Sequence, residues 1–174
     1  MRNISFSSDT GNFTRRDLDD TSKISEDYFG TQKDPNQIPT VKKTRDWIYK
    51  NTPDYLNIIK HNKKVIGYAF MLPCNKRLMA SFLSKKINEA EMFEDIKKLD
   101  LNKRPETIYL CASVLREDYR GKGLATTAFI KAINRITKNT YNPILFYWKY
   151  SEEGRSLLKR VAKLTNLELK ERID

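Results

Sequence analysis

Between Arg120 and Ala125 the chain reads Arg-Gly-Lys-Gly-Leu-Ala, two glycines one residue apart with a basic residue before each. The apolar run Thr107 to Leu115 precedes it, and an apolar periodicity of three to four residues follows it. A turn between a strand and a helix gathers several backbone N–H groups into a small concavity at the positive end of a helix dipole, which is a site for phosphate. Glycine at 121 and 123 leaves an anion room to approach those amides, and Arg120 and Lys122 add positive charge. A Gly-x-Gly turn before a helix also serves as a plain turn and cap. Two other phosphate motifs fail. A dinucleotide fingerprint needs a third glycine where Thr126 stands and an acidic residue ~20 positions on, where the chain reads Ile144 to Trp148. A Walker loop needs Gly-Lys-Ser/Thr after four intervening residues, and neither glycine begins one.

Other reactive residues are sparse. Cys74 and Cys111 have no CxxC spacing and no histidine cluster beside them, so no metal site is expected and two free buried thiols are favoured over a disulfide. The single histidine, His61, falls in a polar turn with Asn62 and Lys63 and reads as a solvated turn residue.

The elements that must position the glycine turn follow from periodicity. Met1 to about Gly30 is a polar leader that reads as loosely packed, with a strand at Ile4 to Ser7. Thr40 to Lys50 reads as a short helix with a Thr cap, ending before Thr52-Pro53. Tyr55 to Lys60 and Lys64 to Leu72 form an antiparallel hairpin around His61-Asn62-Lys63. Lys76 to Leu99 changes to helical period, with one stripe of Leu78, Met79, Phe82 and Leu83 and a second of Met92, Phe93, Ile96 and Leu99. Asn88 and Glu91 resemble a capping pair for the second helix. Thr107 to Leu115 reads as a strand buried on both faces. Leu124 to Ile136 is a strongly amphipathic helix starting at or just after Gly123. Pro143 leads into a strand from Ile144 to Trp148, Ser151 caps a last helix, and Leu167 to Leu169 reads as a final short strand.

The segment Val114 to Ala125, Val-Leu-Arg-Glu-Asp-Tyr-Arg-Gly-Lys-Gly-Leu-Ala, resembles motif A of the GNAT superfamily, whose signature is Arg/Gln-x-x-Gly-x-Gly/Ala after a central strand. The order of elements from roughly Thr40 to Leu169 is also that of the family. The resemblance implies an α/β (α+β) GNAT fold, a mixed central sheet splayed around the cofactor and flanked by helices. It implies one acetyltransferase domain over 31–174, with a helical insertion at 74–105 before the motif strand. It implies acetyl-CoA as co-substrate, its pyrophosphate on the amides from Gly121 through Lys122, Gly123, Leu124 and Ala125 to Thr126, flanked by Arg120 and Lys122. The backbone of Val114 and Leu115 would pair with the pantetheine arm, and Ser151 stands where the family often has an Asn that contacts the cofactor. The acceptor amine would attack the thioester directly in a ternary complex, with the Leu115 amide polarising the carbonyl. Two family features are missing. Leu158 occupies the position of the tyrosine that commonly protonates the thiolate, and no carboxylate stands near Tyr109 on the strand. Glu106, at the strand's start, is the nearest acid and the candidate base, while Tyr109, Tyr147 and Tyr150 are candidate donors. The insertion, lying near the strand ends, would form either a lid over the acceptor site or a structural or dimer-forming hairpin.

Composition bounds the rest. At 174 residues with 39% hydrophobic and 11% aromatic residues the chain can bury one core. No stretch approaches a membrane span, so no membrane partner is expected and a cytoplasmic location is the simplest reading. The net charge of +11 attracts anions of any kind. It permits nucleic acid, but no aromatic-basic signature supports it beyond Tyr147-Trp148-Lys149-Tyr150. The acceptor, a small molecule or a protein amine, is not encoded legibly, and homodimerisation stays open. A competing reading is a non-catalytic GNAT-fold module that binds CoA or nucleic acid.

Overall fold

The computed structural model describes residues 3–11, 13–29 and 34–173, the side chain of Phe29 excepted. Six strands form one sheet in sequence order: β1 Ile4–Phe6, β2 Leu56–His61, β3 Lys64–Cys74, β4 Thr107–Leu115, β5 Ile144–Trp148 and β6 Leu169–Arg172. β1 to β4 pair antiparallel in succession, whereas β5 pairs parallel to β4 and β6 parallel to β5. The sheet is mixed and covered by helices on both faces. One core holds Tyr68, Phe70, Phe82, Phe93 and Tyr109. The other holds Met71, Leu110, Ala128, Phe129 and Val161, under helices α6 (Leu124–Thr137) and α7 (Glu152–Thr165). No helix among the described residues is long and apolar enough to cross a membrane.

Local chemistry explains the element boundaries. Asn62 and Lys63 take φ of 48° and 67°, the left-handed pair that a two-residue hairpin turn requires, so β2 runs directly into β3. The insertion folds as two short helices, α4 (Lys76–Leu83) and α5 (Glu89–Ile96). Asn75 accepts the Leu78 N–H to start α4, and Asn88 and Glu91 close a full capping box on α5. Ser151 accepts the Gly154 N–H at 3.0 Å and starts α7. Beyond α7, Asn166 is left-handed and Leu167 N–H returns to Ala162. Leu167 therefore still belongs to the helix end, and β6 begins two residues later than its sequence pattern suggests.

The leader is not loosely packed. After β1 a single helical turn, α1 (Ser7–Thr10), is followed by a full helix, α2 (Arg15–Phe29). Thr14 and Asp17 cap α2 reciprocally: Thr14 N–H donates to Asp17 Oδ2 at 2.7 Å, and Asp17 N–H donates to Thr14 Oγ1 at 3.2 Å. Asp17 also pairs with Lys60 of β2 at 2.7 Å, and Leu18 is buried in the core. These contacts hold α2 against the sheet. The boundary placed between Gly30 and residue 31 falls outside the described residues. Helix α3 (Lys42–Asn51) starts two residues after Thr40 and has no side-chain cap. Thr40 is therefore not its cap residue.

Candidate functional site

Strands β4 and β5 pair only from Thr107 to Tyr109 against Ile144 to Phe146. Beyond Tyr109 they part, and the β4 edge from Leu110 to Leu115 has no strand partner among the described residues. A bulge lies where they part: Phe70 opposes Ala112 and Met71 opposes Leu110, leaving Cys111 as the extra residue. The burial expected on both faces of β4 holds from Thr107 to Leu110 and again at Val114, but is broken between them. Cys111, Ala112 and Ser113 are half-buried because they line a cavity.

The hydrogen-bond phase decides which main-chain groups reach that open edge. Arg116 N–H donates to Ile66 O of β3 at 2.9 Å. By alternation Val114 and Ala112 turn their main chain toward β3, and Ser113 and Leu115 turn theirs to the open edge. Val114 therefore reaches the cavity with its side chain, not with its backbone. The Leu115 carbonyl accepts Arg120 Nε at 3.0 Å, consistent with that phase.

The glycine turn closes this end of the cavity. Gly121 and Gly123 have φ of 71° and 73°, and a Cβ on either would meet no protein atom within 4 Å. Glycine is thus demanded by the backbone conformation, and the space above it is open to a ligand. Gly123 is the N-cap of α6 and supplies no side-chain cap. The first intrahelical acceptor is Gly123 O, used by Thr127 N–H, so the amides of Leu124, Ala125 and Thr126 have no intrahelical partner. Leu124 and Ala125 are buried and, with Thr126, line the cavity. Arg120 also stacks over Tyr28 of α2 at 5.3 Å. Lys122 points elsewhere, donating to Asp118 O at 2.6 Å and lying over the Tyr119 ring. Ser151, besides capping α7, lines the same cavity, and Leu158 forms part of its wall.

The cavity, about 670 Å³, runs from this turn along the open edge to a far wall made by α2, the 37–48 segment and β3. There the structure supplies a carboxylate that the sequence reading did not find. Glu89, the first residue of α5, is 7% exposed. Its Oε1 accepts Tyr109 Oη–H at 2.7 Å and lies 3.6 Å from Cys111 Sγ, and its Oε2 accepts the Ile38 N–H at 3.0 Å. Burial pushes its pKa up, opposed by those hydrogen bonds. Burial, with Glu89 alongside, pushes Tyr109 and Cys111 well up, so both keep their protons. Glu106 is not part of the site. It sits at the opposite end of β4, exposed, with Oε2 accepting the Lys76 N–H at 3.2 Å. Tyr150 stands at the cavity rim, 61% exposed. Burial, with Glu171 alongside, raises the pKa of Tyr147 to about 12.

The insertion is not a lid. Phe82, Met92 and Ile96 are fully buried and Phe93 nearly so, and Glu89 alone among its described residues lines the cavity. The cavity is instead covered by α2 and the 37–48 segment. His61, expected as a solvated turn residue, ends β2 and pairs with Tyr119 Oη at 2.8 Å. Cys74 and Cys111 are free thiols, and no group of acids, histidines and cysteines among the described residues could hold a metal.

A mixed sheet that splays over a glycine turn at a helix N-terminus makes an α/β fold with an anion site at its open edge. The sequence matches the model of the acetyltransferase (GNAT) family over residues 18–151, and the chain belongs to that family. It is an acetyltransferase, and the general reaction of its family is acetyl-CoA-dependent N-acetylation. Among curated proteins none matches the sequence. Similar solved structures include a diaminobutyrate acetyltransferase from Paenibacillus lautus in complex with L-2,4-diaminobutyric acid and coenzyme A. It shares 12% identity at a TM-score of 0.57, over 92% of this chain and 75% of that one. A ribosomal-protein-alanine N-acetyltransferase from Brucella melitensis shares 12% identity at a TM-score of 0.52, over 91% and 89%. At such identities the likeness is one of fold.

Proposed function

We propose that this chain transfers the acetyl group of acetyl-CoA to a primary amine by direct attack, with Glu89 receiving the amine's proton. The observation that carries the reading is the continuity of one cavity from the free amides of Leu124 to Thr126, along the open edge of β4, to a buried carboxylate. Acetyl-CoA supplies an activated thioester. The pyrophosphate suits the amides of the α6 terminus, where the helix dipole favours negative charge. The pantetheine arm suits the exposed main chain of Ser113 and Leu115, added as a strand would be. For that, Arg120 must release the Leu115 carbonyl.

The reacting end lies near Ser113. At ~3.3 Å per residue, Ser113 stands about 7 Å along β4 from Cys111, whereas Leu115 stands about 13 Å away. Only Ser113 is close enough for an amine at its thioester to reach Glu89 directly or through one water. Its N–H, rather than that of Leu115, then polarises the thioester carbonyl. An amine of pKa ~10 is mostly protonated at neutral pH, and a buried carboxylate with a raised pKa is suited to take that proton. Leu158 supplies no acid, so the departing thiolate is protonated by water or by the proton the amine has lost. The test is calorimetric titration with acetyl-CoA of the native chain and of Gly123→Asp. Asp at φ 73° strains the turn by ~1 kcal/mol or more and sets a negative charge against the phosphates, so binding should vanish while the fold survives. Equal affinities would remove the cofactor from this turn, and binding of CoA without transfer to any amine would favour the non-catalytic reading.

A further inference from the structure

We infer that the acceptor is a monoamine with a neutral, largely apolar body, such as an arylalkylamine, rather than an amino acid, a polyamine or a peptide N-terminus. The inference rests on the reading above and extends it to the far wall of the same cavity. Only two charged side chains among the described residues line that wall, Glu89 and Arg45. The remaining charged lining residues belong to the glycine turn and α7, on the cofactor side. Arg45 is already engaged: its Nε lies 3.1 Å from Asp19 Oδ1, and its Nη1 donates to Thr40 O at 2.6 Å. Its charge is therefore already balanced by Asp19, and a second anionic group of the acceptor would have to compete for it.

Glu89 is fixed by three hydrogen-bonding partners, which fill three of the roughly four acceptor positions of a carboxylate. One position is left, enough for one ammonium N–H. Leu18, Ile48, Leu56 and Phe70, all buried in the core, give the wall around it an apolar base, and Ser25, Gln37, Thr44 and Tyr68 add only uncharged polar groups. The hydroxyls of Thr21 and Ser22 of α2 point back into the protein, both donating to Leu18 O, at 2.8 and 3.1 Å. A carboxylate on the acceptor would be buried without a cation, and a second ammonium would be buried without a second acid. Either arrangement is disfavoured in a wall of low polarity. A hydrocarbon or aromatic body gains from the same surface.

The experiment uses the full chain. Acetyl-CoA binding is first established by calorimetry. Initial rates of thiol release and of acetylated product are then compared at saturating acetyl-CoA for phenethylamine, L-2,4-diaminobutyric acid, spermidine and an alanine-initiated peptide. The expected kcat/KM for phenethylamine exceeds each of the others by at least about tenfold, the cost of one poorly paired charge. A charged acceptor that matches or exceeds phenethylamine overturns the inference and leaves the acetyltransferase reading standing. Bound acetyl-CoA with no transfer to any of the four also overturns it. Failure of acetyl-CoA to bind sinks the underlying reading, and the acceptor class with it.

Discussion

At the residue scale the centre of the site is a carboxylate brought from one element to a hydroxyl and a thiol on another. Glu89→Gln should keep acetyl-CoA affinity in calorimetry and lower kcat by about 10²–10⁴-fold, the range for a positioned base. A variant within a few-fold of native turnover would show that the proton leaves by another route. The same substitution has a signature in stability. Burial raises Glu89 above the ordinary value of 4.5, so the folded chain holds this proton more tightly than the unfolded chain. That stabilisation is fully present below pH 4.5 and is lost as pH rises through the folded value. Denaturant titrations of the native chain should show this fall, and Glu89→Gln should lack it; parallel curves would mean the charge is not buried. The glycine turn was legible in the sequence because its chemistry is local: Gly121 and Gly123 declare a backbone conformation by themselves. Glu89 was not legible, since its partners Tyr109 and Cys111 lie 20 and 22 residues away, and a helix N1 glutamate is common for dipole reasons alone. The capping signal of Asn88 and Glu91 matches the capping box of α5, yet it draws the eye past Glu89 beside it.

At the element scale, two close packings hold the open edge in place. Gly67 of β3 sits opposite Leu115, and a Cβ there would fall 2.4 Å from Val114 O and 2.6 Å from Leu115 Cδ2. Its φ lies outside the left-handed region, so the demand for glycine is one of space. Gly67→Ala must push β4 away from β3, and overpacking of this kind costs about 1–3 kcal/mol. The displaced edge is the one proposed to hold the pantetheine arm. The variant should therefore lower both Tm and acetyl-CoA affinity, and a native Tm would show that β4 yields freely. The second packing is the insertion. Phe82 makes edge contacts with Tyr109 and Phe146 at ring distances of 5.2 and 6.1 Å, so Phe82→Ala should cost about 3–5 kcal/mol. A lid residue would lower turnover and leave Tm unchanged, whereas a core residue lowers Tm first. Replacing Cys74 to Arg104 by a short Gly/Ser linker should accordingly unfold the protein. The two helices were legible in their apolar stripes, but periodicity reports which face is buried and not what buries it. The opposite holds for α2, whose polar composition hides the Thr14-Asp17 cap and a buried face of Leu18, Thr21, Ser22 and Ser25 behind its exposed charges.

At the scale of the whole molecule, the charge of +11 acts on both substrates, and the proposed chemistry assigns it to only one of them. Acetyl-CoA is a polyanion that must find the turn at Gly121 to Thr126, and a positive field raises its encounter rate. An apolar monoamine is a cation that the same field opposes weakly, and it is received by a carboxylate buried from solvent. Many basic side chains are locally neutralised, as in the pairs of Lys60 with Asp17 and Arg155 with Glu171, so the remaining attraction is long-range and screened over about 10 Å at 0.1 M salt. Raising salt from about 0.05 M to about 0.5 M should therefore increase KM for acetyl-CoA several-fold, leave kcat nearly unchanged, and hold or slightly lower KM for phenethylamine. Steady-state kinetics at the two ionic strengths decides the matter. If KM for the acceptor instead rises more steeply with salt than KM for acetyl-CoA, the basic surface serves the acceptor, which must then carry many negative charges, as an amine linked to RNA or to an acidic assembly would.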